Sequence, residues 1–325
     1  MAQLSGCDLG GEVRPNGPAL HIVEVRPADG DGVNCNASEP DCGVPRRTDI
    51  VVRFDRPLWP EPRSFEGTRV YTGTRSNRVP VAAVRYDLLD WTLTYQLGRQ
   101  LMPRALYRVE LSGAGESAAP RAYDGAVLDE VAPPLAFSFL TRSTPGGDVP
   151  SEPAPAPACD EVVRVLDRHC ASGCCHGGEA PAMGLRLDSR DGLLTTAFRR
   201  VAHQTESTGT VGVPHSNPAR FGTAMPLIDP GSAATSYLLY KLLIAPENLE
   251  PCAGDHCAAS GALVSDETCL PWPSAERERL RDWFVRGEPM PMAPERLGCD
   301  GPALPLDCGS LRALVRFIDS GALCN

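Results

Sequence analysis

The chain has 325 residues and is 42% hydrophobic, enough for two domains with ordinary cores. Its net charge of −10 gives nucleic-acid binding no electrostatic support. Thirteen cysteines are too many for a reducing cytosol and point to an oxidising, exported setting. No apolar run reaches the ~18 residues of a spanning helix. Thirty-two prolines and 31 glycines predict many loops, and of 31 basic residues only Lys241 is a lysine.

At the start of the chain, Leu4-Ser5-Gly6-Cys7 resembles a bacterial lipobox. That resemblance implies lipidation at Cys7 and a lipid anchor to a membrane surface without a spanning segment. Met1-Ala2-Gln3 supplies neither the basic nor the apolar region of a signal peptide, so the true start is expected upstream. Residues 1–17 read as lipobox and tether.

Residues 18–142 carry a β signal. Short apolar or alternating runs recur at Leu20–Val25, Asp49–Phe54, Arg69–Thr72, Val79–Tyr86, Thr92–Gln96, Tyr107–Leu111 and Leu135–Leu140. Polar, Pro- or Gly-containing turns separate them, and seven such strands predict an all-β Ig-like sandwich. Alternation is clearest in Ile50-Val51-Val52-Arg53-Phe54 and Ala136-Phe137-Ser138-Phe139, where one face packs inward. Cys35 and Cys42 share one loop, and a local disulfide is favoured there over a metal site. Asp29-Gly30-Asp31-Gly32 invites a calcium reading, but Pro40 stands where an EF-hand loop needs its twelfth-position glutamate, so a solvated turn is expected. Asp49 through Leu58, Leu101 through Val109, Tyr123-Asp124-Gly125-Ala126 and Phe137 through Thr141 resemble segments of the bacterial Ig-like domains of surface-layer and exported proteins. The resemblance implies a spacer or adhesion module and no chemistry.

Residues 143–158, rich in alternating Pro and Ala, read as a semi-rigid linker. Beyond it, 159–325 is expected to be helical. Candidate helices are Asp160–His169, Ser189–Ala202, Ala233–Ile244, Ser274–Arg286 with Ser274 as N-cap, and Ser310–Ser320 stopped by Gly321. A cysteine-rich insertion occupies Leu249–Pro273.

The chemistry-bearing stretch is Cys170-Ala171-Ser172-Gly173-Cys174-Cys175-His176. A Cys-His dipeptide with a cysteine upstream is the signature of covalent haem c attachment, in which two thiols bond the haem vinyls and the histidine ligates iron. Ser172 stands where the first cysteine of the usual spacing belongs, so Cys170 and Cys175 become the thioether candidates, with His176 as axial ligand. Cys175-His176-Gly177-Gly178, Met183 through Asp188, Ile228-Asp229-Pro230-Gly231, Ser236 through Leu242, Met290-Pro291 and Leu311 through Ala322 resemble, in that order, the haem c domains of planctomycete and myxobacterial exported proteins. This resemblance implies a mainly α cytochrome c-like fold for 159–325. It also implies a methionine opposite the histidine: Met290 first, Met225 second and Met292 third.

Two further readings stay open at this stretch. The cysteines could all be disulfide partners, or His169, Cys170, Cys174, Cys175, His176, His256 and Cys257 could supply a zinc site. His203 and His215 read as solvated or capping residues. No Gly-x-Ser-x-Gly elbow, His-Glu-x-x-His or phosphate-binding loop is present, so nothing supports an enzyme or a small-molecule substrate. The expected function is electron transfer to an unidentified redox partner protein by an exported, lipid-anchored c-type haem protein. The alternative is a haem-free, disulfide-stapled surface module with a structural or adhesion role.

Overall fold

The structure is a computed structural model describing residues 17–36, 38–60, 65–113, 116, 119–129, 135–144, 155–171, 175–202, 225–245, 272–283, 285, 290–291 and 306–324. The chain divides into two units, one spanning Arg14–Ala154 and one holding Pro155–Asn325.

Among the described residues the first unit has eight strands: β1 (Ile22–Arg26), β2 (Ile50–Phe54), β3 (Arg69–Thr72), β4 (Arg78–Val79), β5 (Val81–Asp87), β6 (Thr92–Leu97), β7 (Leu106–Glu110) and β8 (Ala136–Leu140). They form two four-stranded antiparallel sheets, β1-β2-β6-β5 and β4-β3-β7-β8. Read along the chain, this is the A-B-E-D and C′-C-F-G order of an Ig-like sandwich. Alternation drives the packing. Ile50, Val52 and Phe54 on β2 and Leu93 and Tyr95 on β6 are buried, as are Val70, Val79, Val109, Phe137 and Phe139 on the other sheet. Tyr107 stacks on Phe139 at 5.6 Å between ring centroids. Its hydroxyl accepts the amide of Met102 at 2.9 Å, the arrangement of a tyrosine corner at the start of the F strand.

One apolar run divides. Val79–Tyr86 reads as a single strand, yet the structure breaks it at Pro80, with β4 in one sheet and β5 in the other. Proline has no N–H for a ladder, and its fixed φ suits a corner where the chain changes sheets.

A buried ion pair closes the base of this unit. The Arg56 guanidinium donates to Asp124 Oδ2 at 2.5 Å, with the two side chains only 2% and 0% exposed. It also donates to the Pro18 carbonyl and lies 5.7 Å from the centre of the Tyr123 ring. The other carboxylate oxygen of Asp124 accepts the amide of Ala126. The segment around Asp124 is sewn to the chain after β2 through the Trp59 amide on Arg121 O and the Tyr123 amide on Pro57 O.

The second unit contains α1 (Cys159–Cys170), α2 (Arg190–Thr196), α3 (Tyr237–Leu243), α4 (Ser274–Trp283) and α5 (Cys308–Asp319), with single 3-10 turns at Ala182–Gly184 and Ala233–Thr235. Cys159, Val162, Leu166 and Cys170 make a buried stripe on α1 at helical spacing. That helix packs on α5 and α2. α3 is buried on every side, Lys241 included.

Several expected helix limits shift. Ser189 caps α2 by accepting the amide of Gly192, but the helix ends at Thr196. The run from Ala233 breaks at Ser236 into a 3-10 turn and α3. Ser274 is not the N-cap of α4. The Pro273 carbonyl accepts the amides of Glu276 and Arg277, so Ser274 lies in the first turn. α5 begins two residues earlier than expected because Asp307 caps it by accepting the amide of Ser310. Gly321, at φ +99°, then ends it.

The expectation of a C-terminal, mainly α cytochrome c-like domain is corrected. Among the described residues the helices run only 7 to 12 residues. Turns and isolated β bridges join them, Phe198 with Ile228 and Val201 with Pro226. The extended regular structure of the chain is instead the pair of antiparallel sheets. The physical cause is punctuation: Pro226, Pro230, Gly184 at φ +72° and Gly231 at φ +101° stop helical propagation before it spans the unit.

Arg56→Met is expected to destabilise the first unit by about 3–5 kcal/mol, because it leaves the Asp124 charge buried and uncompensated. The Arg56→Met, Asp124→Leu double variant should recover most of that loss. Urea unfolding followed by tryptophan fluorescence checks both, and equal loss in single and double variants contradicts the account.

Candidate functional site

The α1 helix delivers Cys170 to its C-terminal end, where Ala171 closes the last turn by donating to Asp167 O. Ser172, Gly173 and Cys174 lie outside the described residues. The chain then returns across the helix end. The His176 amide donates to Cys170 O at 3.0 Å, the Ala182 amide to Cys175 O at 2.6 Å and the Leu187 amide to His176 O at 2.7 Å. Gly177 is required here because a Cβ at that position would lie 2.1 Å from Ala171 O. Gly178, at φ +74°, donates its amide to Asp188 Oδ2. That hydrogen bond holds the Asp188 carboxyl below its ordinary range.

This turn brings together three of the residues singled out in the sequence. Cys170 is buried and Cys175 half-buried, and both are in the thiol state. Burial, reinforced by the neighbouring Cys175, pushes the Cys170 thiol up to about 12. His176 Nδ1 lies 3.3 Å from the Ala182 carbonyl, which orients the ring. Burial lowers the His176 pKa, backbone hydrogen bonds to Ala182 and Leu185 oppose that, and the positive charge of Lys241 adds to the lowering. The site therefore favours a neutral imidazole.

The methionines separate. Met290 is half-buried, and its amide donates to Lys241 O at 3.2 Å, so it meets α3 at the residue whose charge acts on His176. Met225 is buried, with its carbonyl accepting the Ala202 amide. Met292, His203, His215, Cys174, Cys252, Cys257, Cys269, Cys299, His256 and the lipidation candidate Cys7 lie outside the described residues. Among the described residues no three His, Cys, Asp or Glu side chains gather as a metal group, and no helix is long and apolar enough to cross a membrane.

Sequence reasoning assigned no role to Lys241, although its being the chain's one lysine was a signal. It also missed the bond between Cys159 and Cys324, which ties the start of α1 to the chain beyond α5 across 165 residues. Cys35 and Cys42 form the other fully described disulfide, closing the loop between β1 and β2. Cys308, at the start of α5, is disulfide-bonded as well.

No protein-family model matches the chain, and no curated protein matches it. Among solved structures, domains 1–6 of the surface layer protein SbsC are similar to part of it, at 14% identity and a TM-score of 0.26, covering 39% of this chain and 14% of that one. The N-terminal part of the bacterial S-layer protein SbsC is similar at 16% identity and a TM-score of 0.25, covering 38% and 24%. The chain thus spans a quarter or less of those proteins.

Because the folded state holds Cys170 protonated while the unfolded thiol ionises near its ordinary value, this residue stabilises the fold below about pH 9 and loses that contribution as pH rises toward about 12. Between about pH 8 and about pH 10.5 the parent should therefore lose more stability than Cys170→Ala, read as the difference in urea midpoints. In the native protein iodoacetamide at about pH 8 should leave Cys170 unmodified and alkylate it only after denaturation, as peptide mass mapping would report.

Proposed function

We propose that the protein is an exported, haem-free module of the cell surface, stapled by disulfides and carrying out a structural or adhesion role. The observation that carries this reading is the bond between Cys159 and Cys324. A covalent closure spanning nearly the whole second unit persists outside the reducing cytosol and stabilises a unit made of short helices. The Ig-like sandwich fits the same role, since its inner faces are filled with side chains and its loops are held by further closures such as Cys35–Cys42. Lipidation at Cys7 would fix the module to a membrane surface.

A specific observation favours a second reading. Cys170 and Cys175 keep their thiols in a chain whose other described cysteines are disulfide-bonded, and His176 follows directly. These groups would hold covalent haem c with two thiols for the vinyl groups, the His176 imidazole for the iron, and the sulfur of Met290 or Met225 as a further ligand. Haem would supply one-electron chemistry, for which a redox partner protein is then required. The chain's own part would be to hold His176 neutral and to keep Cys170 away from water.

A pyridine haemochrome spectrum of protein exported from a host with cytochrome c maturation decides between them. The surface-module reading expects no covalent haem and a folded His176→Ala variant. A covalent band that disappears in Cys175→Ala overturns it and establishes the carrier. Separately, the Cys159→Ser, Cys324→Ser double variant should lose about 2–5 kcal/mol of stability in the second unit, measured by chemical denaturation with and without reductant.

A further inference from the structure

The outer face of the sheet β4-β3-β7-β8 concentrates arginine. Directly opposed residues of an antiparallel sheet share a face, and the register sets Arg78, Tyr71 and Arg108 in one row, with Arg69 opposite Glu110 in the next. Their neighbours Val70, Val79 and Val109 point into the core. Arg75, in the turn after β3, reaches Glu110 at 3.1 Å, and Arg99 donates to Arg78 O at 3.2 Å. Five arginines therefore border one solvent-facing surface. Glu110 and Glu116 are the carboxylates set among them, and Asp29, which accepts the Ser138 amide, bounds the face beyond β8.

This concentration sits on a unit that is close to neutral, whereas the whole chain carries −10. Its cations are well presented: the Arg75 side chain is 73% exposed and that of Arg108 54%. Glu110 is held ionised by the Tyr71 hydroxyl at 2.5 Å and by Arg75, so it fixes the geometry of the guanidinium above it. Arginine presents five donors in a rigid fork, and an exposed ion pair leaves donors facing water.

We propose that this face binds an extended polyanion bearing carboxylates, a polyuronate-type polysaccharide. The face already joins arginine to carboxylate at Arg69–Glu116, Arg75–Glu110 and Arg108–Glu110, the same chemistry that a uronate chain repeats. Tyr71 is buried, so no ring on the described face is offered for stacking on nucleic-acid bases. Leu106 is its one strongly exposed large apolar side chain among the described residues, too little to enter a bilayer. The inference goes beyond the surface-module reading and is independent of haem.

The test is affinity electrophoresis of the full chain through gels containing polygalacturonate or neutral dextran. Polygalacturonate should retard the protein, dextran should not, and rising salt should abolish the effect. The Arg75→Glu, Arg78→Glu, Arg99→Glu variant should weaken binding about tenfold or more. A charge-matched variant off this face, Arg26→Glu, Arg47→Glu, Arg85→Glu, should change it by less than about twofold. Circular dichroism melts confirm folding of both, and if the first triple does not fold, Arg75→Gln with Arg99→Gln serves the same comparison. An unretarded parent, equal losses in the two triples, or tighter binding to single-stranded DNA or anionic vesicles would overturn the proposal.

Discussion

The sandwich depends on the charge pair of Arg56 and Asp124. Both side chains are shut away from water, so each is tolerable only because the other is present. The guanidinium also takes the Pro18 carbonyl and faces Tyr123, while the carboxylate takes the Ala126 amide. One interaction thereby positions the entry of the chain, the exit of β2 and the segment that precedes β8. Gly17 fits beside it because a Cβ there would collide with the Asp124 carboxylate and the guanidinium. Sheets alone would not fix these three segments, since they lie outside the ladders.

The second unit solves the same problem of closure with covalent chemistry. Its described helices are short, and helices of two or three turns draw little stability from their own hydrogen bonds. α1 and α5 are held together by packing, and Cys159–Cys324 ties the segments at their outer ends. Within that frame Cys170 and Cys175 remain thiols beside an oriented, neutral-favouring imidazole. A buried thiol with a raised pKa is a poor nucleophile, so Cys170 is chemically quiet as it stands. Lys241 adds to this quietness, since its charge opposes protonation of His176.

What was legible in the sequence followed local periodicity. Ile50-Val51-Val52-Arg53-Phe54 and Ala136-Phe137-Ser138-Phe139 declare their inward faces because side chains alternate across a strand, and they lie where the alternation places them. The stripe of Val162 and Leu166 was likewise readable as helix. Helix length was not, because Ser236, Pro226 and the positive-φ glycines act through turn geometry that hydrophobic spacing does not encode. The expectation of a cytochrome-like helical domain failed for this reason: turns cut short the helices that it required among the described residues.

The sequence by itself determined the all-β character of the first unit, the oxidising chemistry of its cysteines and the placement of Cys170, Cys175 and His176 in one stretch. Each of those depends on residues near one another in the chain. Tertiary structure alone decided that Pro80 passes the chain between sheets, that Arg56 meets Asp124, that Cys159 bonds Cys324 and that Lys241 acts on His176. These contacts span tens of residues or more, and their energies come from desolvation and chain closure. Neither can be assigned until the fold determines which groups leave water together.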